Sequence, residues 1–86
     1  MHVVPTDPRD TTWEIDFPAY RVYFRVPGGG PWDEYEVRDA DVDEVLAWAA
    51  GEAGGREYCV YVVVPDPGGK PGMIRLRGAT SFDFAP

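Results

Sequence analysis

The fold is decided by residues 39–64, DADVDEVLAWAAGEAGGREYCVYVVV. Asp41 precedes an apolar pattern and Glu44 stands three residues later, which is the spacing of a capping box and predicts the start of a helix. Apolar residues recur at helical spacing over residues 42–53, and a glycine pair then ends the pattern. The stretch therefore predicts an amphipathic helix with one face packed on a sheet.

The residues around this helix predict the sheet. Residues 58–64 are apolar on both faces of an extended chain, which indicates a central strand with a neighbour on each side. Alternating apolar and polar residues predict further strands at 13–17, 20–26, 34–38 and 73–77. The fold class is thus α+β, with an antiparallel sheet of four to five strands, one helix on one face, and the order β-β-β-α-β-β.

The chain length predicts one domain. With 86 residues, the chain can build one packed core but not two. The expected domain spans residues 1–86, with an irregular N-terminal arm at 1–10. The tail at 79–86 either adds a short edge segment or frays.

Charge is concentrated in one segment. The net charge is −7, and residues 33–44 hold seven carboxylates against a single arginine. Such a segment disfavours direct binding to nucleic acid or to an anionic membrane. The N-terminus lacks the pattern of a signal peptide, and no window approaches 18 apolar residues, so we expect a cytoplasmic protein without a membrane span.

The sequence offers no pair of residues for nucleophilic catalysis. Cys59 is the only cysteine and lies within the apolar strand, whereas His2 is the only histidine and lies in the N-terminal arm. Lys70 follows a glycine run but is itself followed by Pro71, where a phosphate-binding loop has serine or threonine. We therefore predict no catalytic residue and no cofactor, and an enzyme is the less favoured class.

A calcium loop is also disfavoured. Asp39, Asp41 and Asp43 have the spacing that opens such a loop, but Glu44 and Ala50 stand where glycine and glutamate are needed. Helix capping and a solvated acidic face explain these residues, and no metal ligand is predicted.

The acidic segment and its aromatic residues form the candidate binding surface. Charge and aromatic rings together suit a basic protein partner, with the carboxylates steering association and the rings as buried contacts. We predict a non-enzymatic protein-interaction module that neutralises or regulates such a partner. The predicted residues are Trp32, Asp33, Glu34, Tyr35, Asp39, Asp41, Asp43, Glu44 and Trp48.

A second surface gives the alternative. Alternation along the strands places a group rich in tyrosine and arginine on the sheet face opposite the helix. These residues are Arg21, Tyr23, Arg25, Tyr61, Arg75 and Arg77. They suit either an ordinary solvated face with charge pairs, or a small-ligand-binding or enzymatic domain with an arginine-lined site at a dimer interface. A homodimer that pairs an edge strand with its twin is compatible with every alternative.

Four segments carry a resemblance to a known group. They are YRVYF at 20–24, DADVDEVLAWA at 39–49, YCVY at 58–61 and IRL at 74–76. Together they resemble small uncharacterised proteins common in actinobacteria, which implies a compact cytoplasmic domain and transfers no site residue. The order of elements is also similar to that of small immunity proteins of bacterial toxin systems.

Overall fold

The computed structural model describes residues 1–6, 15–65 and 68–78. Its elements are β1 (Tyr20–Arg25), β2 (Asp33–Val37), α1 (Val42–Ala53), β3 (Glu57–Val64) and β4 (Gly72–Arg77). The strands form one sheet in the order β2-β1-β3-β4, and each neighbouring pair is antiparallel. The predicted α+β class, with one helix packed on an antiparallel sheet, is confirmed.

Local signals set both ends of α1. The Asp41 side chain accepts a hydrogen bond of 2.8 Å from the Glu44 backbone N–H, and the Glu44 side chain accepts one of 3.3 Å from the Asp41 N–H. At the other end, Gly54 adopts the left-handed conformation with φ of 58°. Arg56 then donates to the last carbonyls of the helix, those of Glu52 and Ala53. The predicted helix and its capping box are confirmed.

The strand predicted at 13–17 is absent from the part of it that the structure describes, residues 15–17. Trp13 and Glu14 lie outside the described residues, and Ile15–Phe17 form no strand and are exposed. Two strands rather than three therefore precede the helix in the described part of the chain. Pro18 explains the interruption, because it lacks an N–H group and restricts the residue before it. The sheet begins directly afterwards, where Ala19 accepts a backbone hydrogen bond from Val63.

The main core lies between the sheet and α1. Side chains alternating along β1 and β3 meet the helix on this side, which we call the helix side. The buried members are Tyr20, Val22, Phe24, Val45, Ala49, Ala53 and Val60. Two of the three helix residues are alanines, and small side chains at a contact allow a helix to approach its neighbour closely.

The other side of the sheet, which we call the outer face, holds a second buried cluster. It consists of Tyr23, Cys59 and Tyr61, with Trp32 packed against it. The two tyrosine rings meet edge to face at 5.8 Å and 90°. Both tyrosines lie on the face opposite the helix, as predicted, but they are buried, so the expectation of a solvated face is wrong for these two residues.

Strand β4 is exposed along its whole length. Ile74 lies opposite Val62 on the helix side, yet the residue is 57% exposed, because α1 packs mainly against β3 and β1. We expected Ile74 and Leu76 to point into the core, and this is wrong. A bulge between Val60 and Tyr61 also interrupts the regular alternation, with Arg75 opposite Tyr61 and Arg77 opposite Val60.

Helix α1 has 12 residues, whereas crossing a bilayer takes about 20. No helix in the described ranges is both long and apolar enough to span a membrane.

Candidate functional site

The structure divides the predicted acidic surface between two sides of the sheet. Successive side chains of a strand point to opposite faces, so Asp33 and Tyr35 of β2 lie on the helix side while Glu34 lies on the outer face. Trp32, just before β2, also belongs to the outer face, where it packs against the Tyr23 cluster. The nine predicted residues therefore do not form one patch.

Tyr35 and Trp48 come together on the helix side. Their rings meet edge to face, with centroids 5.7 Å apart and an angle of 78°. Both rings also contact the fully buried ring of Phe24, at 5.8 Å and 5.7 Å. Tyr35 is 43% exposed and Trp48 is 38% exposed. Two half-exposed rings are thus held in a fixed arrangement on a buried third one.

Carboxylates surround this ring pair. Glu44 and Glu52 stand four residues before and after Trp48 on α1, and helix positions four apart lie on the same face. Asp33 lies two residues before Tyr35, on the same side of β2. We call Asp33, Tyr35, Glu44, Trp48 and Glu52 the aromatic–acidic patch. Glu52 is not among the residues predicted from the sequence, although its spacing of four from Trp48 on the helix places it on the same face.

The patch already holds one cation of its own chain. Arg56 donates to Asp33 over 3.1 Å, and its guanidinium carbon lies 4.5 Å from the centre of the Phe24 ring. A guanidinium therefore already packs on the Phe24 ring and binds the Asp33 carboxylate at this place. This pairing partly neutralises Asp33.

The other predicted carboxylates lie next to the patch. Asp39 is in the loop between β2 and α1, in the left-handed conformation with φ of 57°. Asp41 is the N-cap of α1, and Asp43 is in its first turn. All three are exposed, so the helix N-terminus is strongly anionic. Asp41 and Glu44 also form the capping box, which gives them a structural role beside any role in binding.

Trp32 belongs to a different environment. The guanidinium carbon of Arg25 lies 4.3 Å from the centre of its ring, and Arg25 pairs with Glu57 at 3.0 Å. Trp32 and Trp48 therefore lie on opposite sides of the sheet. The surface predicted from the sequence therefore cannot use both as neighbouring contacts.

Two of the four arginines of the alternative site, Arg21 and Arg25, are paired with carboxylates of the same chain. Arg21 pairs with Glu34 at 3.0 Å and with Glu36 at 3.3 Å, and Arg38 pairs with Glu36 at 2.7 Å. Burial lowers the pKa of Arg21, but its hydrogen bonds to Glu36 and Tyr23 outweigh this and raise it overall. The hydrogen bond from Arg38 lowers the pKa of the Glu36 carboxyl. These groups are therefore charged at neutral pH and already bound to one another.

A cavity of about 200 Å³ lies beside this network, lined by Arg21, Tyr23, Val63, Pro71 and Met73. It is smaller than the roughly 300–1,000 Å³ of typical ligand pockets. The Tyr23 hydroxyl donates to the Met73 sulfur at 3.7 Å, and burial raises the pKa of Tyr23. A phenol held protonated in this way is poorly suited to act as a general base.

Metal chemistry has no evident site in the described ranges, where no group of three His, Cys, Asp or Glu side chains is placed to hold an ion.

No protein-family model matches the chain, and neither a curated protein nor a solved structure is significantly similar to it. The resemblance to small actinobacterial proteins and to toxin immunity proteins stays a prediction.

Proposed function

We propose that this chain is a non-enzymatic protein-interaction module that binds a basic partner through the aromatic–acidic patch. The observation that carries the proposal is the ring pair of Tyr35 and Trp48, half exposed and held against the buried ring of Phe24. Neutralising or regulating a basic protein, as an immunity protein does, is the concrete form of this function.

The rings suit binding because little conformational freedom is lost when a partner covers them. Tyrosine and tryptophan are enriched among the residues that dominate binding energy, and rigid aromatic side chains lose little conformational entropy at an interface. Contacts to Phe24 already fix both rings in the free protein. A partner would therefore gain apolar contact at small entropic cost.

The charges suit a basic partner. Glu44 and Glu52 flank Trp48, and the helix N-terminus adds Asp39, Asp41 and Asp43. The chain as a whole carries −7. Such a field speeds association with a cationic protein and is screened by salt. A lysine or arginine of the partner would pack on the exposed ring faces, as Arg56 packs on Phe24.

We place this interaction in the cytoplasm. Cys59 is the only cysteine and is buried, so the fold has no disulfide within the chain that would need an oxidising compartment.

The arginine-lined alternative is less well supported. Arg21 and Arg25 each pair with carboxylates of their own chain, so an anionic ligand would have to displace those partners. Tyr23 and Tyr61 are buried and offer little surface to a ligand. A dimer that built a larger cavity around Arg75 and Arg77 is the form in which this alternative would operate.

The test is a selection of random peptides displayed on phage against the immobilised full chain. We expect enriched peptides that combine lysine or arginine with an apolar residue. Synthetic copies should bind the Trp48→Ala variant at least about tenfold more weakly than the wild type. Trp32→Ala is the matched control, because it removes the same ring type from the outer face and should leave affinity unchanged.

A second pair of variants tests the charges. Asp43→Asn removes an exposed charge near the patch without touching the capping box, whereas Asp16→Asn removes one from the segment before β1. We expect the first to weaken peptide binding at low salt and the second to have little effect. Peptides that bind the Trp48→Ala variant as tightly as the wild type, or a selection that enriches acidic sequences, would contradict the proposal.

A further inference from the structure

The two edges of the sheet carry opposite charges. Strands β2 and β4 are the edge strands, and no described strand pairs with the outer side of either. Residues 33–39 at the β2 edge hold four carboxylates and one arginine. Residues 68–77 at the β4 edge hold Lys70, Arg75 and Arg77 and no carboxylate. Edge strands present unpaired backbone N–H and C=O groups, so complementary charge on two such edges favours their pairing.

The directions of the strands permit this pairing between copies of the chain. Each neighbouring pair is antiparallel, so β2 and β4 run in opposite directions. A second copy in the same orientation would therefore place its β2 antiparallel to β4 of the first. The sheet would continue with unchanged alternation, and α1 of both copies would lie on the same side.

The side chains also match face by face. On the helix side, the exposed Ile74 of β4 would lie beside Tyr35 and Val37 of β2. On the outer face, Arg75 would lie beside Glu34 and Glu36. Residues opposite one another in an antiparallel pair share a face, and such apolar and oppositely charged pairs are stabilising.

The same charges disfavour pairing of β4 with its own twin. A twofold contact of that kind would bring Lys70, Arg75 and Arg77 of both copies to one seam, where positive charge meets positive charge. The acidic β2 edge offers the better complement. Strand β2 is also protected from its own twin by its carboxylates.

We propose that the chain associates with itself head to tail, with β4 of one copy pairing with β2 of the next. Each contact leaves a free β2 at one end and a free β4 at the other, so assembly grows with concentration or closes into a ring. The inference does not depend on the proposed function.

The test is sedimentation velocity of the full chain over a concentration series, in low salt and in molar salt. We expect the average mass to rise past that of a dimer in low salt and to fall in high salt, because screening weakens the charge match. Arg75→Glu/Arg77→Glu and Glu34→Lys/Glu36→Lys should each weaken association by about tenfold or more. An equimolar mixture of the two variants should restore it, since each then supplies the edge that complements the other.

Glu34→Lys/Glu36→Lys also removes the ion pairs with Arg21 and could disturb the fold. A separate variant therefore tests association without changing those pairs. Ile74→Lys changes an exposed side chain on β4 and should weaken association. Val26→Lys is the matched control, since Val26 is 55% exposed, close to the 57% of Ile74, and lies outside both edges. A chain that stays monomeric at millimolar concentration, or a dimer that stops at two copies and persists in Glu34→Lys/Glu36→Lys, would overturn the proposal.

Discussion

Gly78 and Cys59 touch where β4 ends, with no room for another side chain between them. A Cβ atom on Gly78 would lie 2.6 Å from the Cys59 sulfur and 2.8 Å from its Cα. Gly78 also has φ of +128°, a conformation that side-chain-bearing residues rarely adopt. Two separate constraints therefore require glycine at this position, the backbone conformation and the close contact with Cys59 of the outer-face cluster.

Gly78→Ala should be strongly destabilising, and Gly29→Ala separates the two causes. Gly29 has nearly the same φ, +130°, but a Cβ there would meet nothing within 4 Å. We expect backbone strain to cost about 1–3 kcal/mol in both variants. The crowding against Cys59 should add about 1–3 kcal/mol in Gly78→Ala alone. Urea unfolding measures both losses, and equal values would show that the contact with Cys59 is unimportant.

At the scale of single elements, the helix was predictable because its signals are local. Asp41 and Glu44 act within the first turn of α1, and Gly54 acts at its last turn. Each signal is local, so the sequence alone predicts where the helix begins and ends. The exposure of β4 was not predictable in this way. Ile74 has the spacing of a core residue, but its burial depends on how far α1 extends across the sheet, which strand periodicity does not specify.

The cap of α1 gives a prediction at this scale. Asp41→Ala removes the acceptor of the 2.8 Å bond to the Glu44 N–H and should lower the free energy of unfolding by about 1 kcal/mol. Asp43→Ala removes a carboxylate of the same turn, which stabilises the helix through its dipole and not through a capping bond. This change should lower the free energy of unfolding by only a few tenths of a kcal/mol. Urea unfolding followed by circular dichroism compares them. Equal losses would mean that charge, rather than the capping bond, stabilises the helix start.

At the scale of the whole molecule, the sequence shows which aromatic and acidic residues are close along the chain but does not predict which of them meet in the fold. Trp32 and Trp48 were assigned to one patch because both lie near the acidic segment. The register of β2 against β1 instead sends Trp32 to the outer face and brings Tyr35 to Trp48. That register depends on pairing between distant parts of the chain, so neighbours in sequence became separate surfaces in space.

Three groups of the outer face, the exposed carboxyl of Glu36 and the buried tyrosines Tyr23 and Tyr61, also give the molecule a pH window of stability. The hydrogen bond from Arg38, with Arg21 beside it, lowers the pKa of Glu36 in the folded state. Its contribution is present above the unfolded pKa of about 4.3 and is lost as pH falls through the lower folded value. Burial raises the pKa of Tyr23 and of Tyr61. Their contribution is present below the unfolded pKa of about 10 and is lost as pH rises through the folded values.

Urea unfolding across the pH range tests both limits with separate variants. Glu36→Gln should flatten the loss of stability at acidic pH and leave the alkaline side unchanged, because it removes only the carboxyl. Tyr23→Phe/Tyr61→Phe should flatten the alkaline side, because no buried hydroxyl remains there to be ionised on the outer face. If the double variant lost stability above pH 10 as steeply as the wild type, the buried tyrosines would not be the groups whose ionisation unfolds the sheet.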